Sequence, residues 1–129
     1  MAMKGALEKS GLQPSDIDYI NLHGTGTQNN DQSEGTAIMK LFGPNYPMMS
    51  STKSFTGHTL GACGGIEAVF SALAVKHGIV YPTLRLETPM KDFPFIPETI
   101  FQRNVQVKNV LSNSFGFGGN CTSLILSKN

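Results

Sequence analysis

Cysteine is scarce in this chain of 129 residues: Cys63 and Cys121 are the only two. Two is too few for a disulfide framework, and reduced thiols are expected. No charge of one sign dominates, with 10 Lys plus Arg against 9 Asp plus Glu. Without a basic run, neither a nucleic-acid partner nor an anionic membrane surface is expected. No apolar run approaches the roughly 20 residues of a bilayer span, and no charged segment precedes a short apolar one as in a secretory signal. A cytoplasmic protein with no membrane partner is the expectation. The histidines and cysteines fall into no His-x-x-x-His or Cys-x-x-Cys spacing, so no metal site is expected. Internal repeats, low-complexity tracts and linkers are also missing. A single domain over residues 1–129 follows, long enough to bury roughly two-thirds of its unfolded surface.

The periodicity that is present alternates between two kinds. Met3, Ala6 and Leu7 share a helical face, ended by Gly11 and Pro14. Ile17 to Leu22 reads as a strand ending at His23. A second helix is expected from about Asp31, where Asp31-x-x-Glu34 fits a capping box, to Gly43-Pro44, with Ala37, Ile38, Leu41 and Phe42 as its apolar face. Met48 to Thr52 reads as a strand leading into Lys53. A third helix is expected from His58 to Gly78, carrying Ala62, Ile66, Val69, Phe70 and Leu73. Gly61, Gly64 and Gly65 weaken its start, which makes sense if another backbone packs there. Ile79 to Leu84 and Val105 to Val107 read as further strands, separated by an irregular, proline-bearing excursion from Glu87 to Pro97. Val110 to Ser114 and Thr122 to Ser127 form a terminal hairpin. Strands alternating with helices imply α/β layering around a mixed sheet.

Chemistry concentrates in three glycine-framed motifs: His23-Gly24-Thr25-Gly26-Thr27, Lys53-Ser54-Phe55-Thr56-Gly57-His58, and Asn113-Ser114-Phe115-Gly116-Phe117-Gly118-Gly119. Both histidines sit where a strand hands over to a loop or helix, the edge at which open α/β sheets bind ligands. A neutral imidazole there donates an N–H to an oxyanion or accepts a proton. Lys53 is placed to hold negative charge beside the imidazoles, or is simply a solvated strand-end lysine. Asp31 and Glu34 also fit plain helix caps, and Glu67 a solvated helix face. His77 fits a cap of its helix's last carbonyls. The bend from Gly116 to Gly119 has neither the lysine of a P-loop nor the following helix of a dinucleotide loop. It offers backbone N–H groups walled by Phe115 and Phe117.

Together the three motifs resemble the C-terminal part of an elongating β-ketoacyl-acyl-carrier-protein synthase of the Cys-His-His type, a thiolase-fold condensing enzyme, from about Met3 to Ser127. The resemblance implies the C-terminal half of a thiolase-like fold, a mixed sheet packed with helices. It implies that His23 and His58 hold the thioester carbonyl or enolate in a decarboxylative Claisen condensation of fatty-acid synthesis. It makes Lys53 the lysine preceding the second histidine, Asp31 the acidic partner of the first, and Glu67 a helix glutamate that steadies the site. Thr25 and Thr27 would contact a phosphopantetheine arm. Phe117 would gate the site and lend its backbone N–H to an oxyanion hole, flanked by Phe115, Gly116 and Gly118. No metal or dissociable cofactor is implied, since the acyl carrier protein brings the arm. The other implied partners are acyl and malonyl thioesters, the N-terminal half of the enzyme and, in a homo-oligomer, further copies. The family nucleophile belongs to that N-terminal half. Cys63 stands where the family mostly has alanine, and Asn120-Cys121 where it usually has Thr-Asn. A polyketide ketosynthase portion and a non-catalytic partner resembling chain-length factors are the alternatives.

Overall fold

A computed structural model describes residues 1–129. Helix α1 spans Ala2–Ser10, burying Met3 and Leu7 one turn apart, and ends where Gly11 adopts a left-handed φ of 71°. Strand β1 (Tyr19–Asn21), helix α2 (Gln28–Phe42), strand β2 (Met48–Ser50) and the one-turn helix α3 (Lys53–Thr56) follow. Helix α4 is Cys63–His77, β3 Ile79–Val80, β4 Gln102–Arg103, β5 Asn109–Phe115 and β6 Cys121–Ser127.

Four strands make one mixed sheet in the order β2-β1-β5-β6, and β3 pairs with β4 in a separate ribbon. β1 runs parallel to both β2 and β5, while β5 and β6 form the antiparallel hairpin. Side chains alternate across such a sheet, and the two cores record it. Ile20 and Leu111 face α1 and α2, among Met3, Leu7, Ile38 and Phe42. Their neighbours Tyr19 and Val110 face α4, with Ala74, Val75 and Val80. The expected α/β layering, with helices on both faces of a mixed sheet, is therefore what the chain adopts.

Several boundaries differ from those read in the sequence. Helix α2 starts a turn before Asp31, so Asp31-x-x-Glu34 is no capping box, and its N-cap Thr27 makes no side-chain cap bond. His58 does not open a helix. A tight turn over Leu60–Ala62 intervenes, and α4 begins only at Cys63. The strand expected to Leu84 stops at Val80, because its partner is Gln102–Arg103. Val105 to Val107 form no strand: Val107 is buried in the core, and the N–H of Val105 bonds the carbonyl of Gly78 instead. At the end of α4 the N–H of Gly78 itself satisfies the Ala74 carbonyl.

Parallel β1, β2 and β5 direct their carboxyl ends to one edge. The three glycine-framed motifs leave the sheet at that edge.

Candidate active site

His23 lies two residues beyond β1 and is held at both its backbone and its ring. Its backbone N–H donates to Glu34 Oε1 at 2.9 Å, and the N–H of Gly24 donates to Glu34 Oε2 at 2.9 Å. A single carboxylate from α2 thus clamps the turn into the loop. Gly24 is required there: its φ is 42°, and a Cβ would lie 2.6 Å from Ser51 Cβ.

The ring is set from the other side of the sheet. Lys53, buried at the start of α3, donates from Nζ to His23 Nδ1 at 3.2 Å and forms an ion pair with the buried Glu67 of α4. An ammonium only donates, so Nδ1 is the acceptor and the ring proton sits on Nε2. Burial, then the Lys53 charge and then His58 push the His23 pKa down to about 4, leaving it neutral near pH 7. Burial raises the Glu67 pKa, and the Lys53 contact pulls it back.

Adjacent residues of β5 tie the two glutamates together. Asn113 points to one face, where Nδ2 donates to Glu34 Oε1 at 3.0 Å. Ser114 points to the other, where Oγ donates to Glu67 Oε2 at 3.4 Å. Ser114 also explains one of the three glycines around the start of α4, since a Cβ on Gly64 would meet its Oγ at 2.9 Å. Gly61 and Gly65 face open space. On the α4 face, Asn21 Nδ2 donates to the Glu67 carbonyl at 3.3 Å and Asn21 Oδ1 accepts from Thr52 Oγ1.

His58 stands against His23 with ring centroids 5.4 Å apart and planes at 87°. It is exposed. Its Nδ1 accepts the N–H of Leu60 at 3.1 Å, and that leucine has a left-handed φ of 54°. His58 therefore also carries its proton on Nε2 when neutral. Two imidazoles, each with Nδ1 engaged, present two N–H donors at one edge of the sheet.

The remaining residues singled out in the sequence fall around this pair. Phe115 packs its ring 5.6 Å from that of His23. Phe117 is fully exposed, and the Gly116 N–H is taken by the Asn120 carbonyl at 2.8 Å. Gly118 and Gly119 both have positive φ. Thr25 and Thr27 pair their hydroxyls at 2.9 Å on the exposed loop. Asp31 accepts from its neighbour Asn30 and lines a cavity of about 200 Å³ beside Glu34. The carboxylate that touches His23 is thus Glu34, not Asp31. Glu34, Asn113 and Asn21 are the site residues that the sequence reading gave no such role.

Residues 1–87 match the family model of the β-ketoacyl synthase C-terminal domain. The chain belongs to this family. The 3-oxoacyl-[acyl-carrier-protein] synthase 2 of Coxiella burnetii is 45% identical over 130 residues, which cover 98% of this chain and 31% of that protein. The ishigamide ketosynthase/chain length factor superposes with a TM-score of 0.93 at 34% identity, over 98% of this chain and 32% of the other. A type II PKS ketosynthase solved with its acyl-carrier protein gives 0.89 at 31% identity, over 98% and 32%. The chain spans about a third of the length of these relatives. In this β-ketoacyl synthase domain, Glu34→Gln is expected to lower stability by about 1–3 kcal/mol, because an amide NH2 would face either the buried N–H of His23 or the half-buried N–H of Gly24. Urea unfolding checks it; an unchanged midpoint would remove Glu34 from the clamp.

Proposed function

We propose that the chain supplies the oxyanion-binding portion of a 3-oxoacyl-[acyl-carrier-protein] synthase. In this reading a malonyl thioester lies with its carbonyl oxygen between the two Nε2–H groups. Its C–CO2 bond breaks, carbon dioxide leaves, and the electron pair becomes an enolate whose oxygen the imidazoles hold. The enolate carbon then attacks an acyl thioester on a cysteine supplied from outside these residues. A C–C bond forms, the C–S bond breaks, and the cysteine departs as thiolate. The observation that carries the reading is the pair of imidazoles with both Nδ1 atoms engaged, which orients donors before charge develops.

The other residues take supporting roles. Lys53 and Glu67 fix the His23 ring, and Glu34 fixes its backbone. The half-buried Thr25 and the exposed Thr27 and Phe117 border the approach for the phosphopantetheine arm of an acyl carrier protein, the partner this reading requires. No dissociable cofactor takes part in the step. The same geometry serves a polyketide ketosynthase. A non-catalytic partner has no chemical use for a ring held in one tautomer by a buried ion pair.

The complete protein is expected to release carbon dioxide from malonyl-carrier protein in step with 3-oxoacyl product. Failure to release either would overturn the reading. These residues alone are expected to give no condensation product. Cys63 is buried at the start of α4 and Cys121 stands exposed on β6, and neither occupies a nucleophile motif. Product formation by the 129-residue chain, abolished by Cys63→Ala, would contradict this.

A further inference from the structure

One cysteine near the histidine pair is not used in the proposed condensation. Cys63 is the first residue of α4, and Glu67 follows one turn later on the same face. A ring nitrogen of His23, the sulfur of Cys63 and a carboxylate oxygen of Glu67 all lie within 4.8 Å of one another. The three residues are 3%, 8% and 2% exposed. Imidazole, thiol and carboxylate are the three side chains from which zinc sites are built. No local spacing announces the set, because β1 and α4 bring it together across 44 residues of sequence from His23 to Glu67.

We infer that His23, Cys63 and Glu67 form a binding site for one thiophilic divalent cation of the zinc class, which competes there with the Lys53 ammonium. The place already holds positive charge, since Lys53 bridges His23 and Glu67. A dication brings more charge to the same two ligands and gains the Cys63 thiolate as a third. Bonds of about 2.0–2.3 Å put tetrahedral ligands roughly 3.3–3.8 Å apart, so the three atoms need to converge by only about 1 Å. The thiolate selects zinc over calcium or magnesium. Binding releases the Cys63 proton to solvent and leaves the fourth position to water. A cation that takes Nδ1 in place of Lys53 leaves Nε2–H as a donor but draws the ring about 1 Å toward Cys63 and Glu67 and off its place beside His58, so it slows catalysis. That consequence rests on the proposed function, whereas the binding itself does not.

Cobalt(II) titration of the purified protein under reducing, anaerobic conditions tests the binding directly. One equivalent is expected to give a thiolate-to-cobalt charge-transfer band and the intense visible bands of a tetrahedral site, both removed by added zinc. Cys63→Ala should abolish the thiolate band and weaken binding at least about a hundredfold. Cys121→Ser should leave both unchanged. Lys53→Met should tighten binding about tenfold or more by removing the competing charge. No thiolate band, a band that survives Cys63→Ala, or a band lost with Cys121→Ser would overturn the site. Unchanged or weaker binding in Lys53→Met would overturn the competition. Zinc inhibition of condensation, relieved by a chelator, tests the consequence separately: cobalt bands without inhibition would leave the site standing and count against the role given to His23.

Discussion

Alanine at His58, introduced into the complete protein, is expected to slow malonyl decarboxylation at least about a hundredfold, the scale of losing one preorganised oxyanion donor. His58 has no structural duty that would spread the damage. It is exposed, and its hydrogen bond is to the N–H of Leu60 in an exposed turn. Folding should therefore survive, and the loss should appear in kcat. Acylation of the nucleophile should suffer far less, because the enolate oxygen develops only on the malonyl unit. Measuring carbon dioxide release and acyl transfer separately distinguishes the two, and equal losses would contradict the division. His23 is held neutral down to about pH 4, so it should add no inflection to the rate above about pH 5. A rate that rises through pH 6–7 with the ionisation of this ring would mean that burial and the Lys53 charge do not hold it neutral.

Residues whose role is local were legible in the sequence, and residues whose role is set by packing were not. His23, Lys53 and His58 announce themselves through flanking glycines and their position after strands. The α/β alternation and the terminal hairpin follow from periodicity of 3.6 and 2. Glu34 was hidden by an imitation: with Asp31 it matches a capping box, yet α2 starts at Gln28 and Glu34 lies on the second turn, facing the His23 loop. Only the crossing of α2 over the end of β1 gives that carboxylate its two N–H partners. Asn113 and Ser114 stand side by side in a recognised motif. Their division between two buried glutamates on opposite faces requires the sheet to be placed between α2 and α4. Glu67 read equally well as a solvated helix residue, because the sequence does not say which face of α4 meets the sheet.

That question of faces leads to the second large effect: the 129-residue chain by itself is expected to self-associate. Helix α4 carries apolar residues on its outer face as well as its inner one. Its buried row includes Glu67 and Ser71, while Val69 is 60% exposed and Leu73 38%. Water-facing positions of a soluble helix are normally polar. Leu60 and Leu124 are exposed as well, and contiguous apolar patches beyond a few hundred Å2 mark surfaces that meet a partner. The chain spans only about a third of its relatives, which leaves room for the remainder of a longer protein to cover this face. In isolation a second copy is the available cover. Sedimentation over a concentration series should show dimers or larger species, with binding of an apolar dye. Val69→Lys combined with Leu73→Glu should restore a monomer in the isolated chain. In the complete protein the same pair should instead disrupt folding, by burying two charges in an apolar contact. A clean monomer of the unmodified chain at high concentration, taking up no dye, would show that the exposed row of α4 needs no partner.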